Sequence, residues 1–247
     1  MKDNIDINAD LGESFGRFIL GNDEGLMPYL TSCNIACGFH GGDPLTIRKT
    51  VELAARNGVN IGAHPSYPDL QGFGRRSMKL PMDELKSIIH YQVAVIKTFA
   101  QMFGKKLIHV KPHGALNNDM MRDSILLSSV LDAVLEVDPK LLILIPFRPD
   151  IRQSNIRYEI YADRTYENDY QLTPRSIQGS VLNDEKEIKS HLENIIGNKK
   201  IRCRQGSLLD IKVDSICVHG DNDNAIKIGG LIHSVANRHN KSIASLS

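Results

Sequence analysis

Residues 34–64 read NIACGFHGGDPLTIRKTVELAARNGVNIGAH, and this stretch decides the fold. Its first four residues are apolar or small, as a strand covered on both faces would be. Asp43 then sits where a helix N-cap belongs, and Pro44 at the first helical position. Ile47, Val51 and Ala54 fall on one face of a helix over 44–57, and Gly58 stops it. A second apolar run follows at 59–62. Strand, helix and strand in this order make a parallel βαβ unit. Each strand leads straight to a histidine, His40 after the first and His64 after the second.

The same unit recurs on both sides. Further strands are expected at 5–9, 107–111, 141–145, 158–161 and 215–218, and further helices at 82–103, 123–137, 185–196 and 225–238. The helix at 82–103 carries Leu85, Ile88, Ile89, Gln92, Ile96, Phe99 and Phe103 on one stripe. Seven strands alternating with helices predict an α/β protein, a distorted seven-stranded parallel β/α barrel, with a doubly wound open sheet as the alternative. Residues 165–183 and 198–214 break the rhythm. The chain is expected to be one barrel domain over 1–247, with a small irregular or hairpin insertion around 198–214.

Composition narrows the function. Of 247 residues, 41% are hydrophobic and 24% charged, and the net charge is +1. This is ordinary for a globular protein, and without a basic tract it argues against nucleic acid as a partner. The run LLILIPF at 141–147 is far shorter than the ~18–20 residues that cross a bilayer. The acidic N-terminus lacks a signal-peptide core, so a cytoplasmic protein is expected. Cys33, Cys37, Cys203 and Cys217 do not make a zinc-ribbon pattern and are expected to be buried free thiols.

Titratable groups collect where strands end. Strand one leads to Asp10 and Glu13, strand two to His40 and Asp43, and strand three to His64. Strand four leads to Lys111 and His113, strand six to Asp163 and Arg164, and strand seven to His219 and Asp221. In a parallel barrel these ends meet at one mouth, where active sites form. Solvent also begins there, but four histidines at six strand ends exceed what solvation needs. A helix start at Asp43-Pro44 and another after HGDND at 219–223 offer N–H groups that favour a nearby anion.

The segments DINADLGESFG, SCNIACGFHGGDP, GAHPSYPDLQGFGRR, KPHGALNN, ADRTY, LTPRSIQGSV and SICVHGDNDNA together resemble the LamB/YcsF family. The resemblance runs in order from residue 5 to about 239. Ala9, Gly41 and Asn117 stand where that family commonly has Cys, Ala and Tyr; no acid, histidine or arginine of the pattern is missing. The resemblance implies a fold similar to the glycoside hydrolase/deacetylase barrel. It also implies the activity of an ATP-dependent 5-oxoprolinase, in which the family member opens 5-oxo-L-proline to L-glutamate together with subunits B and C.

That reaction gives the residues expected roles. A lactam resists water, so phosphorylation of its oxygen, a general base and an oxyanion site would be needed. Asp10 is expected as base or metal ligand, with Glu13 as its partner. His40, His64, Lys111 and His113 complete the expected catalytic group. Asp43, Arg76, Asp163, Arg175, His219 and Asp221 are expected to bind substrate or phosphate, with Asp163–Arg164 an ion pair shaping the mouth. If a divalent ion is bound, the deacetylase-like fold makes Asp10, His40 and His64 its natural ligands, though no HExxH spacing supports this. ATP is the expected cosubstrate, yet the chain has no GxxxxGK[ST] motif and no GxGxxG after a strand. Two other readings remain: a metal-dependent amide hydrolase or deacetylase without ATP, and a non-catalytic subunit that presents 5-oxoproline to its partners.

Overall fold

A computed structural model describes residues 4–220, 222 and 224–246. In chain order its elements are β1 Asn4–Leu11, α1 Asp23–Leu26, β2 Ser32–Ala36, α2 Pro44–Asn57, β3 Asn60–His64, α3 Met82–Met102 and β4 Leu107–Val110. There follow α4 Gly114–Met120, α5 Ser124–Val137, β5 Leu142–Pro146, β6 Ile156–Tyr161, α6 Glu185–Asn198, β7 Lys200–Arg202, β8 Leu208–Asp210, β9 Ser215–Val218, α7 Ala225–Arg238 and β10 Ser242–Ile243. The opening stretch forms as its residues dictate. Asp43 accepts the Leu45 and Thr46 amides at 2.9 and 3.0 Å, and Gly58 closes α2 with φ 69°.

Strands β1 to β6 and β9 pair in parallel in the order β1-β2-β3-β4-β5-β6-β9, and β9 pairs back onto β1. The ring is therefore closed, which sets aside the open doubly wound sheet. β10 lies parallel beside the start of β1, and β7 and β8 form an antiparallel hairpin. α4 was not expected. Its sequence GALNNDM is seven residues long and carries a glycine and two asparagines, so propensity gives no signal.

The two faces of β1 divide the molecule. Ile5, Ile7, Ala9 and Leu11 are buried against the surrounding helices. Asp6, Asn8 and Asp10 alternate with them and point into the ring. The ring interior is thus polar, unlike the branched apolar layers usual in such barrels. At its base Asp6 accepts hydroxyls of Thr31, Ser32 and Ser215. Asn8 bonds Ser215 and Asn34, and Asn34 bonds His109 and Asp10, each at 2.7–2.9 Å. Buried polar groups of this kind are tolerable because they satisfy one another. Gly62 makes room for the ladder, since a Cβ there would lie 2.1 Å from His109 Nε2.

Candidate active site

The ladder ends at the carboxyl rim of the ring. A cavity of about 340 Å³ opens there. Its floor is built on Lys111, which follows β4 and is 2% exposed. Lys111 Nζ lies 2.9 Å from Asp10 Oδ1 and 2.9 Å from Glu159 Oε2, with Cys217 Sγ at 3.1 Å. Burial alone would push the lysine down, but Asp10, Cys217 and Glu159 hold it well above its usual value. Asp10 answers in kind: burial would raise it, yet His64 and Lys111 keep it well below the usual carboxylate range. Tyr161 donates its hydroxyl to Glu159 at 2.8 Å.

Beside this floor four buried side chains converge. His40 and His113 stack with centroids 3.7 Å apart and planes 6° apart, and His64 meets both edge-on. His40 Nε2 is 3.2 Å from Glu13 Oε1. His64 Nδ1 donates to the Lys111 carbonyl at 2.6 Å, and His113 Nε2 donates to the Phe73 carbonyl at 2.8 Å. The remaining nitrogens, His64 Nε2 and His113 Nδ1, stand 2.9 Å apart. Burial, with His64 nearby, holds His40 well below the usual imidazole range. Burial, with His40 and His64, does the same to His113. Gly74 covers the stack: at φ 65°, a Cβ there would come within 2.7 Å of His113 and 2.9 Å of His40. Phe73 also has positive φ, 55°, which for a bulky residue is strained and is held here by its carbonyl's bond to His113.

A carboxylate–imidazole dyad faces the same cavity. Asp163, at the end of β6, accepts from His219 Nδ1 at 2.7 Å and from Asn222 at 3.0 Å. This leaves Nε2 of His219, a cavity-lining residue, as an acceptor. Burial would raise Asp163, but His219 wins and holds it low. Arg75, Arg122, Arg164 and Arg175 also line the cavity. Arg175 lies close enough to Arg164 to help push its guanidinium down, after burial.

The structure gathers Asp10, Glu13, His64, Lys111, His113, Arg175 and His219 around one cavity, with His40 buried directly behind. Asp163 stands behind His219. Other expectations change. Asp43 is not among the cavity residues; its carboxylate caps α2 and accepts the Gly16 amide at 2.8 Å, so the N–H groups of that helix start are already taken. Arg76 is bound to Asp69 and is largely exposed, while its neighbour Arg75 lines the cavity in its place. Asp163 pairs with His219 rather than Arg164, which donates to the Thr173 and Ser180 carbonyls. Asp221 lies outside the described residues. The trio Asp10, His40 and His64 is not the tightest group of metal-ligating atoms: those of Glu13, His40, His64 and His113 lie within 4.8 Å of one another and could hold a metal ion. Asp10 is committed instead to Lys111.

Glu159, Tyr161, Asn34 and Asn8 were missed. Their signal was alternation inside the strands: DINAD in β1, SCN in β2 and EIY in β6 place polar side chains at i and i+2, on the inner face. The four cysteines are free and buried, as expected. Among the described residues no helix is long and apolar enough to cross a membrane.

Comparison with known proteins agrees with this fold. The model of the family described as LamB/YcsF matches residues 5–247. A protein of Pyrococcus horikoshii, named as the A subunit of 5-oxoprolinase, is 46% identical over 237 residues, covering 94% of this chain and 93% of that protein. One of Geobacillus thermodenitrificans with the same name is 42% identical over 236 residues, covering 93% and 92%. The crystal structure of a lactam utilization protein from Thermus thermophilus superposes with a TM-score of 0.89 at 33% identity, covering 98% of this chain and all of that one. A peptidoglycan N-acetylglucosamine deacetylase domain from Eubacterium rectale gives 0.53 at 12% identity, covering 100% and 90%, a likeness of fold alone.

Proposed function

The chain belongs to the LamB/YcsF family, and from that premise we propose that it is the lactam-opening component of an ATP-dependent 5-oxoprolinase, working with subunits B and C. The observation that carries this reading is the Asp163–His219 dyad facing the guanidinium-lined cavity. The names of the relatives supply the substrate.

The lactam amide is too stable for direct attack by water at a useful rate. ATP activates it: the lactam oxygen takes the γ-phosphoryl group, ADP leaves, and the ring nitrogen gives up its proton. Water then adds to the ring carbon, and His219 Nε2 takes a proton from it as general base. Asp163 fixes the tautomer and stabilises the imidazolium. The imidazolium returns that proton to the ring nitrogen; His219 then takes the hydroxyl proton of the tetrahedral carbon and passes it to the same nitrogen as the C–N bond breaks, which yields the free amine and γ-glutamyl phosphate. A second water releases phosphate and leaves L-glutamate. Arginines of the rim, Arg75, Arg122 and Arg175, hold the substrate carboxylate and the phosphoryl oxygens. Lys111 does not leave its carboxylates; it is a positioning residue that keeps Asp10 charged and holds Asp10 and Glu159 fixed at the floor. The chain carries no nucleotide-binding motif, so its partners present the ATP. A divalent ion at the histidine cluster would add Lewis-acid polarisation of the lactam oxygen.

The test is glutamate release from 5-oxoproline by the chain with and without its partners and ATP. The expected result is ATP-dependent turnover that needs the whole complex. It should fall by roughly 10²–10⁴ in His219→Gln, with folding retained. Turnover without ATP would favour the metal-dependent amide hydrolase. Unchanged turnover in His219→Gln would remove the dyad from the chemistry.

A further inference from the structure

Two imidazoles of the buried cluster face each other through the nitrogens that are bare when the rings are neutral. The Lys111 carbonyl can only accept, so His64 Nδ1 must bear the hydrogen of its 2.6 Å bond. The Phe73 carbonyl fixes His113 Nε2 in the same way. In the neutral rings His64 Nε2 and His113 Nδ1 are therefore bare, and they stand 2.9 Å apart on two buried side chains at the cavity wall. Two lone pairs at that distance repel. A cation between them removes the repulsion, and carboxylates flank the gap: Glu13 Oε1 is 3.8 Å from His113 Nδ1, and Asp10 Oδ2 is 3.4 Å from His64 Nε2.

We propose that His64 Nε2, His113 Nδ1 and the Glu13 carboxylate form a binding site for a divalent transition-metal ion of the zinc type, and that His40 orients Glu13 without touching the ion. Ligands ~2.1 Å from one ion stand about 3.0 Å apart at a right angle and about 3.4 Å apart in a tetrahedron. The observed 2.9 and 3.8 Å bracket those spacings. Two imidazoles and a carboxylate suit zinc, iron or nickel better than magnesium or calcium. Each imidazole is pinned through its other nitrogen to a backbone carbonyl, the arrangement that aims a metal-ligating histidine.

His40 is excluded by its stacking on His113. An imidazole lone pair lies in the ring plane, and these planes are 6° from parallel with centroids 3.7 Å apart. An ion in the plane of His113 therefore stands well off the plane of His40. The Nε2–H of His40 donates to Glu13 Oε1 instead, at 3.2 Å. The site thus differs from the trio Asp10, His40 and His64 expected from the fold. Asp10, drawn to Lys111 at 2.9 Å, stays outside it.

The chain stripped with a chelator is titrated with Zn²⁺ by calorimetry and with Co²⁺ by visible absorption. One ion per chain is expected, with the ligand-field bands of a nitrogen- and oxygen-bound Co²⁺. His64→Ala and His113→Ala should each lose binding, and His40→Ala should weaken it only about 10–100-fold, as loss of a supporting partner does. Should the alanine variants not fold, ¹⁵N NMR of the intact protein serves: Zn²⁺ should move the signals of His64 Nε2 and His113 Nδ1 and of neither His40 nitrogen. Absence of stoichiometric uptake, with an imidazolium signal from a proton shared by the two rings, would overturn the proposal. So would full binding by both His64→Ala and His113→Ala, or a loss in His40→Ala equal to theirs.

Discussion

Replacing Lys111 by methionine isolates the interaction on which the cavity floor depends. Methionine keeps the unbranched stem and removes the charge. Two carboxylates, each 2.9 Å from Nζ, then remain in the barrel without their shared lysine. At an effective dielectric of about 20 each contact is worth ~6 kcal/mol before desolvation is counted. Desolvating the ions cancels much of that. What survives is the cost of leaving a buried charge unpaired, about 3–5 kcal/mol. The Asp10 side chain is 13% exposed and that of Glu159 0%, so little solvent comes to their relief. We expect Lys111→Met to lose about 4 kcal/mol, a large share of the roughly 5–15 kcal/mol typical of a domain. With a urea slope of roughly 2 kcal/mol/M, the midpoint should fall by about 2 M.

The loss has a pH signature. Asp10 is held below its ordinary range in the native protein. Its contribution is therefore present above about pH 4 and is lost as pH falls through the lower, native value. The variant lacks the share that Lys111 supplies, while that of His64 remains, so the gap between the two proteins should be widest near neutrality and narrow below about pH 4. Adding Asp10→Asn and Glu159→Gln to Lys111→Met should restore most of the stability, because no buried charge is then left. A loss under about 1 kcal/mol for Lys111→Met, or no recovery in the triple variant, would refute the reasoning.

Three further outcomes follow from single contacts. Asp43→Ala removes the α2 cap and should cost about 1 kcal/mol in urea unfolding, with KM for 5-oxoproline in the assembled enzyme unchanged; a raised KM would return Asp43 to the binding site. Gly74→Ala forces a side chain onto a φ of 65° and against the His40–His113 stack; it should cost about 1–3 kcal/mol and lower turnover, and wild-type values for both would show that the loop moves freely. Burial pushes His109 down to about 3 and His191 down to about 4. Both native values lie below the unfolded value of about 6.5, so their contribution is complete above that pH and is lost as pH falls. Each should remove ~1.4 kcal/mol per pH unit, close to 3 together between about pH 6 and 4. Stability that stays flat or rises on acidification, measured by urea unfolding at pH 7, 6 and 5, would contradict this.

What could be read from the chain was whatever depends on local pattern. Apolar strands, the capped start of α2 and histidines at strand ends are written in adjacent residues. What escaped depends on the partner that closure supplies. The sequence offered Asp43 both as the α2 cap and as a ligand contact; the Leu45, Thr46 and Gly16 amides take its carboxylate, so only the first role stands. Arg75 and Arg76 are neighbours in a loop without periodicity, and Asp69 selects which of them leaves the cavity. Asp163 had two candidate cations, the adjacent Arg164 and His219, fifty-six residues away, and the ring brings the distant one within 2.7 Å. Glu159 was passed over because alternation gives its face but not its partner, and a glutamate inside a strand reads as a solvent-facing residue until a lysine from the far side of the ring is seen to meet it.

The polar interior ties stability to chemistry more closely than an apolar barrel would. From Asp6 at the base through Asn8 and Asn34 to Asp10 and Lys111 at the rim, each group is held by the one below. Such a chain is rigid because each member loses more than one bond if it moves, and because a partly satisfied network is costlier than none. The rim residues are therefore placed by the barrel's own hydrogen bonds, and no flexible loop is required to position Asp10 or Lys111. The reverse also holds. A change at the base, such as Ser215→Ala, removes a donor from Asp6 and an acceptor from Asn8, and its effect reaches Asp10 through Asn8 and Asn34. Distance from the cavity is a poor guide to which residues matter here; membership of the ladder is the better one.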